Sequence, residues 1–138
     1  MLTRSGFSLI EIMVVVAIIL ILTTIAILIY TSPNIKTLAK KARVKEELHM
    51  IQIALEAYHT DLKRYPPESN WMNELLGKGV LIYNTEGVNY ISKIPKDPFS
   101  PDDYYNYSLS NGIYYIWSVG PDGENDNHTD DDIAKSNR

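Results

Sequence analysis

Arg4-Ser5-Gly6-Phe7-Ser8-Leu9-Ile10-Glu11 leads into a stretch, from Ile12 to Ile35, without a charged side chain, and the reading of this junction decides the fold. At ~1.5 Å per residue the charge-free stretch makes a helix of roughly 36 Å, enough for the ~30 Å hydrocarbon core of a bilayer. A secretory signal has a basic start, an apolar run of ~7–15 residues and a small-residue cleavage site behind it. Arg4 supplies the basic start, but the run is too long and no A-x-A-like site follows. An uncleaved signal anchor is the plain alternative. Glu11 is what a plain anchor leaves unexplained. It sits inside apolar sequence, with Phe7, Leu9 and Ile10 before it and Ile12 to Leu22 after it. A carboxylate at membrane depth costs ~2.5–3.5 kcal/mol on insertion scales and marks a functional residue by default. A helix beginning only at Glu11 would strand the residues from Phe7 to Ile10 outside it.

Outward from this junction, the 138 residues leave room for one small domain behind the apolar segment. The net charge of −4 conceals a polarity. Lys36, Lys40, Lys41, Arg43 and Lys45 follow the apolar run, whereas Asp122, Glu124, Asp126, Asp130, Asp131 and Asp132 crowd the C-terminal end. Counting basic residues on either side of the run would keep the C-terminal part cytoplasmic. No basic patch with interleaved aromatics supports nucleic acid binding. The absence of cysteine excludes disulfides, thiolate metal sites and a cysteine nucleophile.

Beyond Pro33, which is expected to bend the helix, Val44, Leu48, Ile51, Leu55, Tyr58 and Leu62 recur at spacings of 4, 3, 4, 3 and 4. That is one apolar helix face, suited to packing against a sheet. The expected helix therefore runs from near Phe7 to about Leu62, where Arg64-Tyr65-Pro66-Pro67 ends it. A loop follows over residues 63–89, with a short helix at Trp71 to Leu76. A sheet is expected over about 90–119. Tyr90 to Ile94 would be its first strand, and the runs around Ser110-Asn111-Gly112 would form a hairpin, because Asn-Gly favours a tight two-residue turn. On alternation Tyr105, Tyr107 and Leu109 share one face, as do Ile113, Tyr115 and Trp117. The ten tyrosines read as half-buried strand residues with hydroxyls reaching water.

The stretch from Ser118 to Ile133 is rich in oxygen ligands, which hard cations such as calcium require. It is not an EF-hand, since the sixth position from Asp122 is Asn127 and the twelfth is Ile133. Composition alone favours a solvated acidic segment.

The junction Gly6-Phe7-Ser8-Leu9-Ile10-Glu11 resembles that of type IV pilin precursors and pseudopilins. The resemblance implies an α+β, type IV pilin-like fold, with a long N-terminal helix packed on a small antiparallel sheet and followed by a C-terminal acidic loop. It implies a leader of residues 1–6, cut by a prepilin peptidase between Gly6 and Phe7, and N-methylation of Phe7. Residues 7–35 would form the membrane and filament-core half of the helix, and residues 36–138 the globular domain. The ammonium of Phe7 in one subunit would meet the Glu11 carboxylate of its neighbour, so that two intramembrane charges neutralise each other during assembly. Ser118, Gly120, Asp122, Gly123, Asp130, Asp132 and Ile133 resemble the C-terminal arrangement of the major pseudopilins of type II secretion. That likeness implies a calcium loop over 118–133, with Asp122, Asp130 and Asp132 as ligands, Asp131 as a substitute, and backbone carbonyls near Ser118 and Val119 completing the set. Tyr58, Asp61, Tyr65 and Pro66, then Asp97-Pro98-Phe99 and Tyr105-Asn106-Tyr107, resemble the same family. Pro67 departs from it and is similar to some short type IV pilins.

The expected function is structural: a pseudopilus subunit that polymerises to drive type II protein secretion across the outer membrane. Its partners would be further copies of itself, minor pseudopilins, an inner-membrane assembly platform and the prepilin peptidase. The chain would cross the inner membrane once, with its C-terminal domain periplasmic. The alternative is a subunit of a surface type IV pilus for adhesion, motility or DNA uptake. Enzyme activity is not expected. His49 and His59 lie ten positions apart on different helix faces, and His128 stands in the acidic loop.

Overall fold

The computed structural model of the chain describes residues 8–138, so Gly6 and Phe7, where cleavage and methylation are expected, lie outside the described residues. Helix α1 spans Leu9–Thr31 and α2 spans Pro33–Leu62. One continuous helix bent at Pro33 was the expectation; the structure has two. The pyrrolidine ring clashes with a helical residue before it, which drives Ser32 to the extended region at φ −65° and ψ 119° and stops α1 there. Pro33 then starts α2 at the position where a missing N–H is harmless.

The chain divides into two compact units, one reaching to Thr37 and one formed by Leu38–Arg138. In the first, no residue of α1 is buried, and the helix is long and apolar enough to cross a membrane. Its polar hydroxyls are satisfied internally. Thr23, Thr24 and Thr31 donate to the carbonyls four residues back at 2.7, 2.8 and 2.9 Å, as a low-dielectric surrounding demands.

In the second unit the expected stripe of α2 forms the core. Val44, Leu48, Ile51, Leu55 and Tyr58 are fully buried, and Ala54 is nearly so. Each large apolar side chain buried there contributes roughly 1.5–3 kcal/mol. They pack with Trp71 and Leu75 of α3 (Trp71–Leu76) and with the sheet. The sheet comprises β1 (Asn106–Ser110), β2 (Ile113–Ser118) and β3 (Ile133–Ser136), antiparallel in that order. The β1–β2 hairpin turns on Asn111 and Gly112, both at positive φ, 51° and 77°. This is the backbone that a two-residue turn between twisted strands requires.

Two sequence expectations change here. The segment Tyr90 to Ile94 forms no strand. The Tyr90 and Ile91 amides instead donate to the Leu75 carbonyl at 2.9 and 3.2 Å, capping α3, and Ile94 enters the core. The sheet gains β3, which pairs Ile133 with Ser118 and Ser136 with Tyr115. The sequence Ile-Ala-Lys-Ser carries no alternation that would announce it. The expected alternation holds: Leu109 lies opposite Tyr114 and Tyr107 opposite Ile116, so Tyr114 and Ile116 join Tyr107 and Leu109 on the face toward α2. Ile113, Tyr115 and Trp117 share the far face.

Five of the ten tyrosine hydroxyls, those of Tyr58, Tyr65, Tyr90, Tyr105 and Tyr114, reach carboxylates. Tyr105 donates to Glu47 at 2.6 Å, Tyr114 and Tyr65 to Glu56 at 3.0 and 3.1 Å, and Tyr58 to Glu74 at 2.7 Å. Burial, then the neighbouring carboxylate, pushes the hydroxyl pKa of Tyr58, Tyr105 and Tyr114 up, so they remain protonated donors.

Candidate functional site

The acidic loop returns the chain from β2 to β3 and is held by protein contacts at its root and again around His128. At its root Asp97, 1% exposed, accepts from Ser118 Oγ at 2.8 Å and from the Val119 amide at 3.0 Å. Further along, the loop crosses the far face of the sheet. The His128 ring stacks on Tyr115 at 4.2 Å and meets Trp117 edge-on at 5.4 Å. Trp117 Nε1 donates to Asn125 Oδ1 at 2.9 Å. This cover explains why Trp117, on the face away from α2, is only 6% exposed.

Within the loop, Asp122, Asp126 and Asp131 each offer a carboxylate oxygen, all within 4.8 Å of one another. Asp131 Oδ2 accepts from the Asp122 amide at 3.3 Å, and Asp132 Oδ2 accepts from the amides of Asp126 and His128 at 3.1 and 2.8 Å. The other oxygens, Asp131 Oδ1 and Asp132 Oδ1, are buried without a hydrogen-bond partner. A buried carboxylate oxygen left unpaired is costly, and a cation is one group that could satisfy two in adjacent residues. Burial, together with the charges of Asp122, Asp130 and Asp131, pushes the Asp126 carboxyl up from its ordinary range. Burial raises Asp132 likewise, with Asp126 and Asp131 adding to the shift against the two amide donors.

Of the residues expected as ligands, Asp122 and the substitute Asp131 fall in the cluster. Asp130 is exposed at φ 50° and stands outside it. Asp132 contributes an unpaired oxygen beside it. Ser118 and Val119 are buried at the root. Asp126 was missed, because nothing in the spacing separates it from the other acidic residues. Gly120 fixes the loop's closure. Its φ is +73°, and a Cβ there would lie 2.5 Å from the Asp131 carbonyl and 2.9 Å from Asp131 Oδ1. Gly120→Ala is therefore expected to destabilise the unit by about 2–3 kcal/mol and to shift the Asp131 carboxylate, as read by thermal unfolding with and without calcium.

At the other end, Glu11 lies in the first turn of α1, where its Oε2 accepts from the Ser8 amide at 3.1 Å. The carboxylate thus satisfies one of the orphan amides of the helix start. Among the described residues, this exposed hydrogen bond is what any partner of the carboxylate would displace.

Among the described residues the histidines are dispersed: His59 stacks on Tyr65, His128 on Tyr115, and His49 is exposed. No nucleophile–base pair is formed from them.

Comparison with known proteins bears on both ends of the chain. Residues 34–136 match the family model described as type II secretion system (T2SS), protein G, and residues 1–27 match the prokaryotic N-terminal methylation motif. The type II secretion system core protein G of Escherichia coli K12 is 34% identical over 95% of this chain and 90% of its own length. That of Aeromonas hydrophila is 32% identical, over 97% and 93%. Among solved structures, the major pseudopilin from the type 2 secretion system of enterohaemorrhagic Escherichia coli superposes with a TM-score of 0.55 at 25% identity, covering 76% of this chain and 96% of that one.

Proposed function

The chain belongs to the protein G family of type II secretion systems, and from that membership we propose how each end of it is used. The family is one of structural subunits: the chain is a major pseudopilin, anchored by its apolar helix and assembled into a pseudopilus after prepilin processing. The proposal concerns the finer steps. A prepilin peptidase cuts between Gly6 and Phe7 and the new Phe7 amino group is methylated. The Glu11 carboxylate then leaves the Ser8 amide for the Phe7 ammonium of a neighbour. The chain waits in the inner membrane with residues 36–138 in the periplasm. There it joins minor pseudopilins and an assembly platform to build a filament that drives secretion across the outer membrane.

The observation that carries this reading is the state of the helices. α1 has no buried residue and carries one charge, Glu11, at its start. α2 exposes only scattered apolar side chains away from the buried stripe, Leu38, Met50 and Ile53, with Glu46 and His49 among them. The continuous apolar surface of α1 is the one that calls for lipid or other copies around it.

Calcium belongs to the same proposal. The unpaired oxygens of Asp131 and Asp132 and the cluster of Asp122, Asp126 and Asp131 fit a hard cation with oxygen ligands. Asp122, Asp126 and Asp131, with Asp132, would hold it. The bound ion would supply positive charge that offsets their mutual repulsion. The protein's own part is to hold the loop ends through Asp97 and His128, so that the carboxylates are gathered beforehand.

The test is mass spectrometry of the full chain produced with and without a prepilin peptidase. Loss of residues 1–6 and gain of one methyl group are expected. Gly6→Leu is expected to stay uncut, and Glu11→Val to be cut but to enter filaments at least about tenfold less, reflecting one lost intramembrane ion pair. A chain left uncut by the peptidase would falsify the reading.

A further inference from the structure

Beside the start of the second unit, Ala39, Lys40 and Arg43 of α2 and Lys96, Asp97 and Pro98 line a groove. Two of its three cations, Lys40 and Lys96, have no carboxylate partner among the described residues. Lys40 Nζ sits 5.3 Å over the Phe99 ring and Lys96 Nζ 5.7 Å over the Tyr104 ring, with a further bond from Lys96 to the Asp102 carbonyl at 3.2 Å. Aromatic faces orient a cation without cancelling its charge. Arg43 pairs with Glu47 at 2.7 Å, yet its side chain stays 64% exposed. Of the acidic groups nearby, Asp97 is buried with its oxygens taken by Ser118, Val119 and Phe99. Asp102 and Asp103 stand exposed at the rim.

The complementary charge is carried by the same chain. The loop holds Asp122, Glu124, Asp126, Asp130, Asp131 and Asp132, six acidic side chains, so one divalent cation would leave four negative charges uncancelled. Among the described residues no ion pair joins the loop to the groove within one chain. Asp97 lines the groove and also holds the root of the loop, which places both features at one level of the domain. They point to different faces: the groove lies between α2 and residues 96–101, and the loop beyond its root covers the sheet face away from α2 through His128. Complementary charges on different faces of one chain suit a head-to-tail contact between copies, and repetition of such a contact generates a ring or a helical filament.

We propose that the acidic loop of one subunit docks on the Lys40–Arg43–Lys96 groove of the next copy in the filament. The proposal rests on the filament reading above. It also gives the basic residues behind α1 a partner other than the cytoplasmic side that charge counting assigns them. Calcium loading would act on this contact by fixing the loop in one shape.

The chain has no cysteine, which permits a direct test in the full-length protein produced with its assembly machinery. Glu124 stands outside the carboxylate cluster and is the residue to pair with Lys40. On oxidation in intact membranes, Lys40→Cys/Glu124→Cys is expected to give a ladder of dimers, trimers and higher species, whereas each single cysteine gives no more than dimers. Separately, Lys40→Glu and Glu124→Lys are each expected to lower filament yield several-fold, and the two together to restore it. Filaments that form without a ladder overturn the contact alone, as does an internally linked monomer. Failure of the unsubstituted chain to form filaments overturns the subunit reading itself. If Lys40→Cys is shielded from a soluble maleimide by phosphatidylglycerol vesicles and not by assembly, the groove serves an anionic membrane surface and the proposal falls.

Discussion

Glu74→Leu is expected to destabilise the Leu38–Arg138 unit by on the order of 3–5 kcal/mol, more than any other single change to an acidic residue here. Glu74 is fully buried. Its carboxylate accepts from the Tyr58 hydroxyl at 2.7 Å, from the amides of Asn84 and Tyr83 at 2.8 and 3.2 Å, and from the Ile82 amide. These bonds tie the segment after α3, which has few buried apolar side chains of its own, to the core helix α2. A leucine fills the space but leaves several donors unpaired, and each one that stays buried costs about 1–3 kcal/mol. Glu74→Gln keeps an acceptor and is expected to lose less. The midpoints of urea unfolding for the three chains check the order.

The same site sets an acid limit. Burial alone pushes the Glu74 carboxyl up, but the Ile82, Asn84 and Tyr83 amides and the Tyr58 hydroxyl outweigh it, so the net shift is downward from 4.5. A carboxyl whose pKa is lower folded than unfolded stabilises fully above its unfolded value. That contribution is lost as the pH falls through the folded value. The unit is therefore expected to lose stability below about 4.5. The loss should be smaller in Glu74→Gln, as thermal unfolding across the acid range would reveal.

The second large effect concerns the acidic loop. Calcium at about 100 times its dissociation constant stabilises the folded state by about 2.7 kcal/mol, which for a domain of this size raises the melting temperature by on the order of 10 °C. The full chain in detergent is expected to show that difference between calcium and chelator. Asp131→Ala is expected to abolish it, because it removes one member of the cluster and one of the two unpaired oxygens together. The same substitution in chelator should be nearly neutral or stabilising, since it also relieves repulsion among Asp122, Asp126 and Asp132. Equal melting temperatures with calcium and with chelator would remove calcium from the account.

Much of this architecture was legible from local sequence. The α2 stripe from Val44 to Leu62 is a period of 3.6 residues and needs no tertiary information. The Asn111-Gly112 turn is dictated by two residues that adopt positive φ readily. The apolar run behind Glu11 declares itself by length. The break at Ser32 was available as well, because Pro33 restricts its neighbour, but the apolar continuity on both sides argued for one helix.

The sequence by itself therefore determined the membrane helix, the core face of α2, the hairpin and the acidic character of the C-terminal loop. Each of these depends on periodicity, composition or the dihedral preferences of one or two residues. The tertiary structure alone decided that residues 133–136 close the sheet, that residues 90–94 cap α3 instead of pairing, and which aspartates meet. Those outcomes depend on hydrogen bonds between residues far apart in the chain. The Asp97 carboxylate finds Ser118 and Val119, the Leu75 carbonyl finds Tyr90 and Ile91, and His128 finds Tyr115. Spacing along a chain carries no record of such long-range partners, so six acidic residues read as a run until the fold chooses Asp122, Asp126 and Asp131 among them.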